Sequence, residues 1–427
     1  MVVISNLAPR RDVESRLMDV HDGNIARLDD GRYWWWGIGY RNCTRESSWM
    51  APQYCPGIWG AFGSCGFRDD HALNVYSSPD LAHWTFEGDA LPKDSGRPNG
   101  IYFRPKVVYD SASASYILWI NYLASPPAGA RWPRNTPLAA YTKTSIVVAQ
   151  STSPRGPFTV LTAAAELQVG APGDFALHIA SASGEAFVAY DAWDNDHRVR
   201  VEALRPDWMG TDATRPGVTV SPHENEAPIM FERRGWYYLA FGHVCCFCEE
   251  GAGATLKVAR HPLGPWLDTG VDLNPPHPDA SSDWSGRPIP TQNNHVFVAR
   301  TASGEDQYIF TADLWRSAPD GLKSHDLQFW SKLTFDDTVT PPAIAPLTWV
   351  DDFEIDLEVV DDAPPMLALD SEVALVRQRL AEKQATRIHS SELHPYLTAL
   401  IGAVALSVSV CVYYLCCGGR NRRMMVA

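Results

Sequence analysis

Residues His223–Gly242 read HENEAPIMFERRGWYYLAFG, a unit whose pattern is repeated elsewhere in the chain. A carboxylate, Glu226, precedes a short apolar run; the polar turn Glu232–Gly235 follows, and the aromatic strand Trp236–Phe241 closes the unit. Two such runs around a Gly-containing turn predict an antiparallel hairpin. Pro228 lacks an amide hydrogen, which suits the start of the inner strand beside Glu226. Taken alone, the stretch is a hairpin with one charged residue at its beginning.

The aromatic strand of this hairpin recurs along the chain. The five copies, each after a polar turn, are Tyr33–Gly37, Tyr116–Trp119, Ala186–Tyr190, Trp236–Leu239 and Gln307–Phe310. Repeats of roughly 50–80 residues, each a four-stranded antiparallel sheet, are typical of β-propellers. The sequence therefore predicts an all-β fold, with an N-terminal segment over residues 1–19 and a five-bladed β-propeller over residues 20–365. The alternative is a single β-sandwich, which rarely exceeds about 250 residues.

Composition narrows the class of partner. The formal net charge is −14, and 16 Trp and 16 Tyr are present. An acidic chain is poorly suited to nucleic acid, whose phosphates require Lys and Arg, so no nucleic-acid partner is expected. Aromatic residues in this number suit sheet cores or a site that stacks on flat ligand faces.

The nine cysteines fall into three groups. They are Cys43, Cys55 and Cys65; Cys245, Cys246 and Cys248; and Cys411, Cys416 and Cys417. The six in the first two groups would permit disulfides in an oxidising compartment. A zinc site is the alternative, although the spacing matches no usual zinc pattern. The sequon Asn42-Cys43-Thr44 makes this an expected glycoprotein.

The C-terminal region changes character. Residues 366–394 predict an exposed helical stalk, because apolar residues alternate there with charges. Residues 395–418 predict one transmembrane helix, since Tyr396–Cys417 carries no charge and is long enough to cross a bilayer. Three arginines follow in residues 419–427, so we expect a cytoplasmic tail. The prediction is a single-pass membrane protein with its propeller extracellular or lumenal; a buried helix is the alternative.

Carboxylates precede three of the aromatic hairpins: Asp22, Asp174 and Glu226. Inner strands of a propeller converge on one central funnel, so these side chains are expected to meet there. Two carboxylates flanking a sugar are the minimum for a glycosidase: one protonates the leaving oxygen and the other activates water. A third nearby carboxylate raises the pKa of the acid through like-charge repulsion. An oligo- or polysaccharide is therefore the expected substrate.

Further motifs, in order, carry a resemblance to a known family. They are Asp22–Ile25, Tyr33–Gly37, Tyr76–Gly88, Arg104–Tyr109, Ser153–Phe158, Glu226–Pro228, Gly264–Trp266, Gln292 and Tyr308–Trp315. Together they resemble glycoside hydrolase family 43, and within it the exo-β-1,3-galactanase-like branch. The resemblance implies an inverting hydrolase acting on galactan- or arabinan-like glycans.

The resemblance also implies roles for individual residues. Glu226 matches the general acid and Asp174 the residue that modulates its pKa. Asp22 matches the family's general base, a position that is usually Gly in the galactanase-like branch. Gln292 matches a residue that assists with the water. Catalysis by this set implies no cofactor, and no metal ligand is predicted, although a structural cation in the funnel would be compatible with the isolated histidines His178, His223 and His295.

Substrate-binding candidates are Trp35, Arg104, Asn195 and Asp196. Trp35 would stack on sugar, but the run Trp34–Trp36 alternates sides of one strand, which favours the core for these rings. Asn195 and Asp196 fall where the branch has a sugar-binding Asn pair.

Two departures from the branch bear on activity. Phe103 and Ile38 stand where it usually has Glu. Their presence leaves two alternatives to a glycosidase: a membrane-anchored carbohydrate-binding pseudoenzyme, or a propeller scaffold for protein partners. A scaffold predicts an apolar top face, whereas both other readings predict a carboxylate-lined funnel.

Overall fold

Antiparallel strands form the sheets in the part of the chain that the structure describes. The structure is a computed structural model, and it describes residues 1–41, 71–124, 144–193, 195–244, 250–276 and 287–358, together with Gln378. The predicted stalk (366–394, apart from Gln378), transmembrane helix (395–418) and tail (419–427) lie outside these residues, as do all nine cysteines and the sequon. Within the described residues, no helix combines the length and apolar character needed to cross a bilayer.

The strands run in chain order from β1 to β23. They are β1 (Val2–Ser5), β2 (His21–Arg27), β3 (Tyr33–Gly39), β4 (Ala72–Ser78), β5 (Thr85–Asp89), β6 (Gly100–Asp110), β7 (Ser115–Ala124), β8 (Ser145–Ser151), β9 (Thr159–Thr162), β10 (Pro172–Ile179), β11 (Ala186–Ala192), β12 (Arg198–Ala203), β13 (Val218–Thr219), β14 (Asn225–Arg233), β15 (Trp236–His243), β16 (Thr255–Ala259), β17 (Leu267–Asp272), β18 (Gln292–Arg300), β19 (Asp306–Leu314), β20 (Leu327–Lys332), β21 (Phe335–Asp336), β22 (Ala343–Ile344) and β23 (Asp352–Ile355). Two short 3-10 helices, Lys93–Ser95 and Lys323–His325, interrupt them.

Five sheets form five blades, which confirms the predicted all-β propeller. Four sheets have the orders β2-β3-β4-β5, β6-β7-β8-β9, β10-β11-β12-β13 and β14-β15-β16-β17, and the fifth is β18-β19-β20. The first strand of each sheet contacts the first strand of the next, and β18 returns to β2, so the inner strands close a ring.

The hairpin His223–Gly242 forms as its sequence predicts. β14 and β15 pair antiparallel, with Arg233 opposite Trp236. Arg234 and Gly235 make the turn with φ of 50° and 72°. A positive φ at both central residues is the geometry that matches the twist of a two-residue hairpin.

The core consists of five apolar clusters, one between each pair of neighbouring blades. Alternation along each strand fills two clusters at once. Trp34 and Trp36 face blade two, whereas Trp35 faces blade five, where its ring packs 5.4 Å from Trp84 and 5.3 Å from Trp330.

The chain ends of the propeller pair with one another. β1 lies antiparallel to β23, with Val2 opposite Ile355 and Ser5 opposite Asp352. Asn6, directly after β1, is buried and hydrogen bonded to Trp330 of β20. Residues 1–19 are therefore in contact with blade five.

Candidate active site

A β-bulge near the start of each inner strand places polar side chains at one end of the funnel. The register shifts lie between His21 and Asn24, Phe103 and Lys106, Pro172 and Phe175, Glu226 and Ile229, and Asn293 and His295. Bulges re-aim side chains and bend the strand that carries them. Asp22 and Arg104 lie inside bulges and adopt φ of 61° and 47°, and Ala227 beside Glu226 adopts 52°.

Arg104 joins two of the predicted carboxylates. Its Nη2 lies 3.0 Å from Asp174 Oδ2, and its Nε lies 3.4 Å from Asp22 Oδ1. Its Nη1 donates to the Asn293 carbonyl at 2.5 Å and to Asn294 Oδ1 at 2.9 Å. Burial lowers the pKa of the guanidinium, but Asp174 and Asp22 raise it by more, so the net shift is upward and Arg104 stays cationic. Substrate contact by Arg104 stays a prediction, and its observed partners show that it also positions the carboxylates.

Gln292 joins Glu226 to Asp174. Its Nε2 donates to Glu226 Oε1 at 2.6 Å and lies 3.4 Å from Asp174 Oδ2. Trp315 Nε1 donates to Gln292 Oε1 at 2.8 Å. Because the indole can only donate, it fixes the amide with its NH₂ towards the carboxylates. Glu226, Asp174, Asp22 and Gln292 are thus brought together from blades four, three, one and five.

Asp22 lies deepest of the three carboxylates, with 1% of the residue exposed. Tyr40 Oη donates to its Oδ2 at 2.9 Å. Burial raises the pKa of Asp22; the Arg104 cation opposes that rise, and Asp313 adds to it. Tyr40 and Asp313 are site residues that the sequence argument misses, since neither precedes an aromatic hairpin; Asp313 is visible only within the family motif Tyr308–Trp315.

Lys106 is a second buried cation missed by the sequence argument. Its Nζ donates to three carbonyls, those of Asp22 at 3.1 Å, Gly23 at 2.8 Å and Asn294 at 3.0 Å. Burial, with Arg104 nearby, lowers its pKa to about 7. Lys106 thereby ties blade two to the bulges of blades one and five.

One of the substrate-binding predictions, Trp35, is not met by the described geometry. Trp35 is 4% exposed in the cluster between blades one and five, so it cannot stack on a sugar in the funnel. Strand alternation is the reason for its place in the core. Asn195 and Asp196 lie on the turn between β11 and β12, where the Asp196 carbonyl accepts from the Glu224 amide at 2.9 Å and the Asp196 side chain is 64% exposed. Sugar binding by Asn195 and Asp196 stays a prediction.

The same turn contributes a different residue. His197 Nδ1 lies 3.2 Å from Asp191 Oδ2, and its ring meets that of Trp193 edge-on at 4.4 Å. Burial lowers the pKa of His197, but the bond with Asp191 and the charges of Asp191 and Glu226 raise it overall. His197 therefore places an imidazole, paired with Asp191, beside the Glu226 end of the site.

A cavity of about 650 Å³ lies at the end of the central funnel that is opposite to the carboxylates. His178 and His295 line it with Glu232, whereas His223 is on the surface, its side chain 59% exposed. Among the described residues, no group of three His, Cys, Asp or Glu side chains is arranged to hold a metal ion.

Comparison with known protein families identifies the family to which this chain belongs. The family model "Glycosyl hydrolases family 43" matches residues 61–315. The chain belongs to this family. The predicted family is thus confirmed. A search of curated proteins by sequence finds no match.

Solved structures of family 43 share the fold. A GH43 β-1,3-galactosidase superposes with a TM-score of 0.60 at 17% identity, covering 83% of this chain and 63% of that one. The exo-β-1,3-galactanase 1,3Gal43A from Clostridium thermocellum gives a TM-score of 0.62 at 19% identity, covering 84% and 69%. An exo-β-1,3-galactanase from Phanerochaete chrysosporium, solved with galactose, gives 0.56 at 19% identity, covering 81% and 67%. The chain thus spans a little under two thirds of the first of these proteins.

Proposed function

We propose that this family 43 chain hydrolyses β-linked galactan or a galactan-like glycan with inversion at the anomeric carbon. The observation that carries the proposal is the convergence of Glu226, Asp174 and Asp22 from three blades, bridged by Arg104 and Gln292. Structural relatives named as β-1,3-galactanases support a galactan substrate. The carboxylate-lined funnel favours this function over a protein scaffold.

Glu226 is the proposed general acid. Gln292 Nε2 donates to Glu226 Oε1 at 2.6 Å and lies 3.4 Å from Asp174 Oδ2, which holds the Glu226 carboxyl in the funnel beside Asp174. A protonated Glu226 would donate to the departing glycosidic oxygen, which must gain a proton as its bond to the anomeric carbon breaks.

Asp22 is the proposed general base, and Asp174 the orienting carboxylate. Arg104 and Tyr40 stabilise ionised Asp22, which an acceptor of the water proton must be. Asp174 pairs with Arg104, and its side chain is 20% exposed, the most accessible of the three. That exposure suits direct contact with a sugar hydroxyl.

Binding without turnover is the second candidate. Phe103 is 7% exposed and its ring meets that of His71 at 6.3 Å, while Ile38 is fully buried opposite His21. Neither position offers a carboxylate to a sugar hydroxyl. A site that binds galactan and fails to cleave it would follow if those contacts are required for the transition state.

The deciding experiment uses the full chain in detergent, supplied with β-1,3-galactan and, separately, with an aryl β-galactoside. Glu226→Gln should lower kcat on galactan by about 10³-fold or more, because the leaving oxygen loses its proton donor. The loss should be much smaller on an aryl glycoside whose leaving group needs no proton. Proton NMR of the first product should show the α-anomer.

The matched control is Glu224→Gln, a carboxylate two residues away that is exposed. It should keep wild-type turnover. Galactan binding without any turnover by the wild type would establish the second candidate, and equal losses on both substrates would remove Glu226 from the role of acid.

We also propose that residues 395–418 tether the propeller to a membrane with residues 419–427 in the cytoplasm. The support is the uncharged run and the arginines after it. Protease treatment of sealed vesicles should digest the tail and spare the propeller; the reverse pattern would refute this topology.

A further inference from the structure

Asp313 lies behind the proposed base and is fully buried. It belongs to β19, the second strand of blade five, whereas Asp22 belongs to blade one. Its Oδ2 accepts the Asp22 amide hydrogen at 2.8 Å. We infer that Asp313, anchored by His21, is a positioning residue for the base Asp22, an inference that rests on the proposed function.

The backbone at Asp22 requires such support. Its φ of 61° lies in the left-handed region, which is unfavourable for a non-Gly residue and persists only where the surroundings impose it. Both backbone polar atoms of Asp22 are held by buried charges of other blades. Asp313 takes the N–H, and Lys106 Nζ donates to the C=O at 3.1 Å.

Asp313 is itself fully engaged. Oδ2 also accepts from Asn294 Nδ2 at 2.7 Å, and Oδ1 lies 3.2 Å from His21 Nδ1. His21 Nε2 lies 3.3 Å from the Ser324 carbonyl, so both ring nitrogens face oxygen acceptors. An imidazolium satisfies both acceptors at once. With both oxygens occupied by protein donors, Asp313 positions Asp22 and does not itself activate water.

The charges of His21 and Asp313 give this positioning role a pH-dependent signature. Burial lowers the pKa of His21, and the bond with Asp313 and the charges of Asp313, Asp19 and Asp326 raise it overall. Burial raises the pKa of Asp313, and the His21 hydrogen bond and charge with the Asp22 amide lower it overall. The pair is therefore ionic at mildly acidic pH, with the anion nearer to Asp22.

Several titratable groups surround Asp22 in the described part of the chain. Those facing its carboxyl or backbone are Tyr40, Arg104, Lys106, Asp174, Asp313 and Lys323. Removing the Asp313 charge while the others remain removes a like charge, so Asp22 should ionise more easily. Removing the His21 cation leaves Asp313 uncompensated, so Asp22 should ionise less easily.

The experiment compares two isosteric variants of the full chain on galactan. Asp313→Asn should lower kcat about 10- to 100-fold with KM within about 3-fold, since sugar contacts are untouched. Its acid limb of kcat/KM should move to lower pH by about half a unit or more. His21→Gln should show a smaller kcat loss and move the limb to higher pH, and it keeps the inference testable if Asp313→Asn fails to fold.

Asp306→Asn is the matched control, because it lies at the exposed start of the same strand and pairs only at the surface with Arg300. It should match the wild type. Limbs that stay in place, or move in the same direction in both variants, would overturn the inference, as would kcat within 3-fold of wild type for Asp313→Asn. A wild type without turnover would instead refute the proposed function, and this inference with it.

Discussion

Two buried cations lie at this site. Arg104 and Lys106 are two residues apart on β6, and both are at most 3% exposed. Arg104 is matched by two carboxylates, whereas Lys106 is surrounded by carbonyl groups. Burial lowers the pKa of both groups, but carbonyl dipoles compensate a buried charge less well than carboxylates do, so the net pKa shift is downward for Lys106 and upward for Arg104.

Lys106 should therefore make stability depend on pH. Below about pH 7 its amine is protonated in both folded and unfolded chains, so it contributes no slope. Between its folded pKa of about 7 and the unfolded value of about 10.4, the unfolded chain binds more protons, so stability rises with pH. Lys106→Met should remove on the order of 2 kcal/mol of the wild-type gain between pH 7 and pH 9.

Denaturant unfolding at the two pH values measures this difference. Lys332→Met, a half-buried lysine of β20, serves as control and should retain the wild-type gain. A Lys106→Met chain whose stability rises with pH as steeply as the wild type would show that Lys106 is protonated throughout.

At the scale of the element, each inner strand carries a β-bulge near its start, and the bulge of β2 depends on a glycine. Gly23 follows Asp22 inside the first bulge, and a Cβ there would collide with the Trp36 carbonyl and with Gly37 of β3. The strand pair can approach this closely only because residue 23 has no side chain.

Gly23→Ala should destabilise the chain by about 3 kcal/mol or more, because backbone must move to make room. The control is Gly184→Ala, in an open turn with φ of 71° and nothing within 4 Å of the added Cβ. It pays only the left-handed backbone cost, about 1–2 kcal/mol. Thermal unfolding that ranks Gly184→Ala as the more damaging change would contradict the bulge geometry.

At the scale of the whole molecule, the two ends of the propeller pair with each other and pack against blade five. The β1–β23 pair lies beside blade five, and Asn6 reaches into that blade. Asn6 Nδ2 donates to the Trp330 carbonyl at 2.9 Å and the Val350 carbonyl at 3.0 Å, and Asn6 Oδ1 accepts from the Trp330 amide at 2.8 Å. One side chain thus joins the first residues to β20 and to the segment before β23.

Asn6→Ala should lower the free energy of unfolding by about 2–4 kcal/mol, because it leaves buried backbone groups of blade five without partners. Val3→Ala on the neighbouring strand is the control; Val3 is 51% exposed, and the loss should stay below about 1 kcal/mol. Equal urea midpoints for Asn6→Ala and wild type would show that the contact of Asn6 with blade five does not contribute to stability.

Prediction from sequence works where local pattern and tertiary placement coincide. The hairpin His223–Gly242 carries its own turn signal, and strand alternation correctly favours the core for Trp34–Trp36. It fails for Trp35 as a sugar platform, because that ring lies on the strand face that packs against blade five. Asp313, Lys106 and Tyr40 give no local signal, since their roles depend on strands of other blades.

Hydrophobic periodicity and turn chemistry act over a few residues, so the repeated hairpins, the number of blades and the three carboxylates at the starts of inner strands are predictable from the chain. How those carboxylates are connected depends on the folded molecule. The bridges through Arg104, Gln292 and Asp313 join strands up to about 290 residues apart, and closing the ring of blades brings them within hydrogen-bond distance. That closure depends on packing between all five blades, which no single stretch of sequence encodes.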